Sequence, residues 1–271
     1  MGAAPAAPTH GATMSDIILE TRNLRREFGA LVAVDDVSVS IEAGSLHSII
    51  GPNGAGKTTF FNLVSGTLRP TSGRVFFKGD DITDLPVHRT IHRGIGRSFQ
   101  ITNLFPNLTV FENVRLAAQA MGNDSLRFFR SHLKFTSYLE RTGQVLEQVG
   151  LAEKAQQPAG TLPHGDQRKL ELGMILAPDP EVLMLDEPTA GMASEQVPEL
   201  MHLVQSIQAS GDKTVVLVEH NMNVVMSVSD RITVMHQGSL LAEGSPAEIS
   251  ADERVQTAYL GELYKDQGGP K

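Results

Sequence analysis

The rhythm of apolar and polar positions changes several times along the 271 residues. Residues 17–77 are rich in strand patterns, and residues 32–41 alternate apolar with polar, as a half-buried strand does. Leu46-His-Ser-Ile-Ile50 is a short strand-like run, and Thr59-Phe-Phe-Asn-Leu-Val64 reads as a helix soon after it. Val75-Phe-Phe-Lys-Gly79 looks like the end of a hairpin. Thr109-Val-Phe-Glu112 has the spacing of a capping box and opens a predicted helix to about Met121. The pattern then stays helical to about Val149, so residues 101–170 are read as a helical insertion. Two later runs, Val182-Leu-Met-Leu-Asp186 and Thr214-Val-Val-Leu-Val-Glu219, suit strands buried on both faces of a parallel sheet. Residues 197–209 between them have helical spacing, which completes a β-α-β unit. Residues 231–236 and 239–243, joined by Gln237-Gly238, predict a terminal hairpin. The fold class is α/β.

Candidate chemistry gathers at the ends of these strands. Gly51-Pro-Asn-Gly-Ala-Gly-Lys-Thr-Thr59 matches G-x-x-x-x-G-K-[ST] and lies between a strand and a helix, as that motif requires. Its glycines let successive N–H groups point at phosphate oxygens, and the helix adds its positive end. In such a loop Lys57 reaches the β- and γ-phosphates and Thr58 takes one place on Mg²⁺. The run ending in Asp186 is the usual partner, with the acid holding Mg²⁺ or its water. Glu187 sits one residue further, where a carboxylate can orient an attacking water.

Bulk properties narrow the setting. The net charge is −8, which disfavours nucleic acid as the main partner, and 41% apolar residues suffice for a core. There is no cysteine, so neither a disulfide framework nor a thiolate metal site is available. No apolar run approaches the ~18 residues that span a bilayer, so any membrane role is expected to come through a partner. His88 and His92 are four apart, but Arg89 stands where a zinc protease has Glu, so they read as surface histidines. Phe128, Phe129 and Phe135 are compatible with core packing and with lining a groove for a partner's helix. Residues 1–14 are expected to be a disordered tail, with Met14 an alternative start, and residues 263–271 to be frayed.

One more motif turns these pieces into a resemblance. Leu162-Pro-His-Gly-Asp-Gln-Arg168 precedes a helical pattern, and Val218-Glu-His220 puts a histidine at a strand end. The order of phosphate loop, Gly-containing turn and helix, Asp186-Glu187 and His220 resembles the ATP-binding subunits of ABC transporters, from about residue 17 to 262. The resemblance implies a P-loop NTPase core of mostly parallel sheet with helices, an N-terminal antiparallel β part and an inserted helical subdomain, together spanning residues 15–262. It implies ATP and Mg²⁺ as ligands. It gives nucleotide contacts to Phe28, Val34, Gly51, Asn53, Gly54, Ala55, Gly56, Lys57, Thr58 and Thr59. Phe28 would stack on adenine. Leu162, His164, Gly165 and Asp166 match the signature loop, which caps the γ-phosphate held by the opposite subunit. Metal contacts fall to Thr58, Gln100 and Asp186, and catalytic roles to Glu187, His220, Gln100 and Lys57. Thr189-Ala-Gly-Met-Ala193 falls where the D-loop belongs.

Two positions depart from the pattern. Pro163 replaces the signature serine, and Ala193 replaces the acid or amide that ends the D-loop, so each removes a polar contact across the dimer seam. Gly94-Ile-Gly-Arg-Ser-Phe-Gln100, the signature stretch, Thr189-Ala-Gly-Met192 and Val255-Gln-Thr-Ala-Tyr-Leu-Gly-Glu262 look like the importers of branched-chain amino acids and related amides or urea. The implied partners are membrane-spanning permeases at the cytoplasmic face of the cell membrane, a second copy or a related ATPase, and a solute-binding protein indirectly, with no nucleic acid. The alternatives are a regulatory nucleotide-binding module and a non-transport ATPase of the same superfamily.

Overall fold

The computed structural model describes residues 17–98, 104–120 and 132–266, and the side chains of these except 132–135 and 260–266. The expected tail, Gln100, Phe128 and Phe129 lie outside the described residues. Strands β1 (Ile17–Phe28) and β2 (Leu31–Glu42) form an antiparallel hairpin, and β4 (Ser72–Phe77) pairs with the other edge of β1. β5 (Asp80–Asp81) turns back on β4 through Lys78 and Gly79, both at positive φ (52° and 81°), the geometry of a two-residue hairpin turn.

The second sheet holds the strands that carry the motifs. β3 (Leu46–Ile50), β6 (Ile95–Arg97), β7 (Val182–Asp186), β8 (Thr214–Val218) and β9 (Arg231–His236) run parallel, and β10 (Ser239–Gly244) closes one edge antiparallel. The order is β10-β9-β3-β8-β7-β6. Every residue of β3, β7 and β8 is buried. Alternate side chains face two different cores, which is why these runs read as continuously apolar rather than alternating. Val182, Met184, Val216 and Val218 pack with the antiparallel sheet and α1 (Lys57–Val64). Leu183, Leu185, Val215 and Leu217 pack toward α3 (Val110–Gln119), α4 (His132–Gln148), α5 (His164–Leu176) and α6 (Val197–Ala209).

α2 (Val87–His92) carries His88 and His92 on the surface. The helical insertion leaves after β6 and re-enters at β7, the strand beside it. Its third helix, α5, runs to Leu176, past the expected boundary at 170. Thr109 caps α3 by accepting from the Glu112 N–H at 3.1 Å. The reciprocal half of the capping box is lost to an ion pair, because the Glu112 carboxylate is held by Arg115 at 2.6 Å. After β8 comes α7 (Met222–Val228). The β9–β10 hairpin turns at Gln237-Gly238 (φ 49° and 83°), but it is not terminal: α8 (Pro246–Ala251) and α9 (Glu253–Asp266) follow. α9 also carries the chain past 262, where fraying was expected.

Candidate active site

The loop at 51–56 is shaped by two positions that admit no side chain. A Cβ on Gly56 (φ 96°) would stand 2.4 Å from the Ala33 carbonyl oxygen, and one on Gly51 would stand 2.2 Å from that of Met235. These contacts pin the loop between β2 and β9. The Gly238 N–H donates to the Ala55 carbonyl at 3.0 Å, and the Asp35 N–H donates to the Gly238 carbonyl at 2.8 Å. Asn53 and Gly54 are exposed at the tip, Ala55 is buried, and Thr58 and Thr59 are half-buried on the first turn of α1. Lys57 is buried and curls back, donating to the Gly51 and Pro52 carbonyls at 2.6 and 3.0 Å. The loop therefore offers a ring of backbone around an ammonium group, the chemistry of a phosphate cradle.

The ends of β7 and β8 lie side by side, since Asp186 pairs with Val218. Asp186 is 4% exposed and neither carboxylate oxygen has a hydrogen-bond partner among the described residues. Burial pushes its carboxyl up to about 6, and Glu187 adds to that; Arg97, His220 and Lys57 pull the other way. A buried carboxylate left without donors, beside an ammonium and a Thr-bearing helix start, fits a hard cation that shares its shell with phosphate oxygens and water. Glu187 has φ 48°, a left-handed conformation that is strained for a residue with a side chain. Its N–H donates to the Val218 carbonyl at 2.8 Å, and its carboxylate meets His220 Nε2 at 2.6 Å. Both side chains keep access to solvent, at 29% and 45% exposure. Lys57, Asp186, Glu187 and His220, spread over 163 positions of sequence, thus share one neighbourhood.

The remaining expected residues divide. Phe28 ends β1 at the hairpin tip, is 42% exposed, and carries the Arg26 guanidinium 4.5 Å over its ring. Val34 is corrected: it is 0% exposed and packed in the core under the loop, so its side chain has no surface to give a nucleotide. Leu162 is likewise core, packing inside the helical insertion, and its carbonyl accepts from Gln167. His164 and Gly165 begin α5 and lie against the 191–196 segment, near Gly191 and Gln196. Asp166 is turned to Lys154 and Lys169. Pro163 stands at the N-cap and supplies no side-chain bond, so no side chain caps the first turn of α5.

Sequence reasoning missed two further parts. Arg168 on α5 donates to the Ala190 carbonyl at 2.9 Å and pairs with Glu171 at 2.7 Å, tying the helical insertion to the loop after β7. Glu219 is 3% exposed and bonds both Thr189 and the His220 backbone. Its place at the end of an apolar run, next to His220, was the available signal.

Known proteins share the sequence pattern and the fold of this chain. A family model described as ABC transporter matches residues 34–190, and one described as branched-chain amino acid ATP-binding cassette transporter matches 239–264. The chain is 40% identical to the high-affinity branched-chain amino acid transport ATP-binding protein BraF of Pseudomonas aeruginosa, over 92% of this chain and 100% of that one. It is 39% identical to LivG of Escherichia coli K12 at the same coverage. An ATP-binding cassette of an ABC transporter solved in its ADP conformation superposes with a TM-score of 0.78 at 31% identity, covering 90% of this chain and 99% of that one. A dimeric post-hydrolysis cassette bound to ADP and Pi gives 0.71 at 27% identity, covering 84% and 99%. With the phosphate cradle, the paired acids and the strand-end histidine in one place, the chain belongs to the ATP-binding, ATP-hydrolysing subunits of ABC transporters.

Proposed function

We propose that this chain hydrolyses Mg-ATP as one half of a two-subunit sandwich and thereby drives uptake of branched-chain amino acids, or related amides or urea, through membrane-spanning partners. The observation that carries the catalytic part is the meeting of Lys57, Asp186, Glu187 and His220 at the mouth of the 51–56 loop. Lys57 leaves its two carbonyl partners and takes the β- and γ-phosphates. Glu187 orients and deprotonates the attacking water, and His220, joined to it at 2.6 Å, fixes the γ-phosphate side of the pair. Thr58 and Asp186 are the donors that would hold Mg²⁺. When bound, the cation neutralises charge that develops on the phosphates.

The sandwich is supported by the start of α5. No side chain caps it, and Pro163 and His164 at its start are exposed, so its N–H groups suit an anion presented by a second subunit. Pro163 removes a hydroxyl there but no backbone donor that an α-helix start needs. Among the described residues no helix is long and apolar enough to cross a membrane; the relatives' names as transport ATP-binding proteins support a place beside membrane-spanning partners at the cytoplasmic face. The solute class rests on the match of residues 239–264 and on the names of the relatives.

The test is phosphate release by the purified chain beside Glu187→Gln, with dimerisation followed in ATP. The proposal expects turnover by the parent, and in the variant a stalled ATP-bound dimer with turnover down by about a hundredfold or more. Equal turnover by both would overturn the role of Glu187. Loss of labelled leucine uptake on deletion of the gene, with urea uptake kept, would fix the solute class, and the reverse would move it.

A further inference from the structure

Glu219 is a buried acid that the mechanism above does not use. It follows β8 and is 3% exposed. Three donors converge on it. Oε1 accepts from the Thr189 N–H at 3.1 Å and from the Thr189 hydroxyl at 2.6 Å, and Oε2 accepts from the His220 N–H at 3.1 Å. None of the three is charged. A carboxylate gives up hydration only where donors replace it, and here they come from two different loops. Thr189 lies two residues after Glu187 along one loop, and His220 opens the other.

We propose that Glu219 is a positioning residue for ATP hydrolysis: one side chain spaces the loop after β7 from the loop after β8, so that Glu187 and His220 meet in a single arrangement. The need is visible in the backbone. Glu187 is held at φ 48°, which a non-glycine residue keeps only when its surroundings impose it. The chain on its N-terminal side is fixed by the sheet, through the Glu187 N–H to Val218 bond at 2.8 Å. On its C-terminal side the clamp is Thr189 on Glu219. The same carboxylate sets the His220 amide, and with it the ring that meets Glu187. Neither Thr189 nor Glu219 touches the 51–59 loop in these bonds, so nucleotide affinity stays with Lys57 and the loop backbone.

The inference rests on the roles proposed for Glu187 and His220, and its test separates the two. Glu219→Gln keeps the shape but turns an NH₂ donor toward one of the N–H donors. Thr189→Val removes the hydroxyl from the other end, in a half-exposed loop that tolerates the change. In the full-length chain we expect each variant to lower kcat, by about 10- to 100-fold for Glu219→Gln and less for Thr189→Val, with KM and nucleotide affinity within about twofold. The double variant should be no slower than Glu219→Gln alone, because both break one clamp. The His220 ring ¹⁵N resonances should move in Glu219→Gln, and in Glu187→Gln as well. Unchanged kcat and His220 resonances in both single variants would overturn the inference, as would kcat and affinity falling together. If Glu187→Gln itself leaves hydrolysis intact, the earlier reading fails instead.

Discussion

Acidification should weaken the fold through His47, and the size of the effect follows from where the ring sits. His47 lies on β3, inside the six-stranded sheet, with 0% of its surface exposed. Its Nε2 meets the Thr233 hydroxyl at 2.7 Å, and Nδ1 has no partner among the described residues. The charge that acts on the ring is Arg231, opposite His47 on β9 and paired with Glu243 at 3.1 Å. Burial, and then the repulsion of Arg231, lower the ring's pKa from 6.5 to about 3. The unfolded chain therefore takes up this proton first, and stability falls as pH drops below 6.5 until the folded ring titrates near 3. The full slope is about 1.4 kcal/mol per pH unit, so acidifying from neutrality to two units below the unfolded pKa costs about 3 kcal/mol. That is a large part of the 5–15 kcal/mol that holds a typical fold. Asp186 and Glu243 act in the opposite sense, because burial raises their carboxyls and acid then favours the folded form. The quantity to read is thus a difference: urea unfolding of the parent and of His47→Gln, which keeps a partner for Thr233 but does not titrate, across pH 7 to 4.5. The stability of the parent relative to the variant should fall by about 3 kcal/mol over that range. A difference that stays constant would show that the folded ring takes its proton without penalty, and the burial argument would be wrong.

Three other outcomes follow from the site. Gly56→Ala places a Cβ 2.4 Å from the Ala33 carbonyl at φ 96°, so it should cost about 1–3 kcal/mol or more and abolish nucleotide binding. Gly54→Ala, at φ 77° with open space around it, should cost less and keep some binding; thermal melts and fluorescent-nucleotide titration read both. Mg²⁺ affinity at fixed nucleotide should fall as pH drops through about 6, because the protonated Asp186 carboxyl no longer ligates, and Asp186→Asn should remove that dependence while lowering affinity throughout.

What could be read from the chain and what could not divides along physical lines. The phosphate loop was legible because its glycines are fixed by backbone contacts at set spacing, such as Gly56 against Ala33. Strands β7 and β8 were legible because burial on both faces leaves an unbroken apolar run. The same run says nothing about which strand lies beside it, so the order β10-β9-β3-β8-β7-β6 was not available from it. Val34 shows a subtler failure. The alternation of residues 32–41 slips at Asp36, whose φ of 55° marks an irregularity in β2, and the face that Val34 shares is set by tertiary packing. Glu219 was legible only as the end of an apolar run beside His220; its tie to Thr189 was not, because folding rather than any motif brings the two together. The first helix after the β9–β10 hairpin was missed although its start was legible, since Ser245-Pro-Ala-Glu248 is a capping box with proline in the first turn.

The point at which the helical insertion enters and leaves has a consequence for how such a chain can vary. It departs after β6 and returns at β7, two neighbours in register, Ile95 beside Val182 and Arg97 beside Met184. The two ends of the module are therefore already stitched together by the sheet. A segment anchored in that way can vary in length without rethreading a strand. A transplant must keep the packing of its helices on Leu183, Leu185, Val215 and Leu217, the Lys169–Glu199 ion pair and the grip of Arg168 on Ala190. The register of the sheet is thus indifferent to the length of chain that leaves after β6 and returns at β7, which makes this junction the place where the fold can absorb variation.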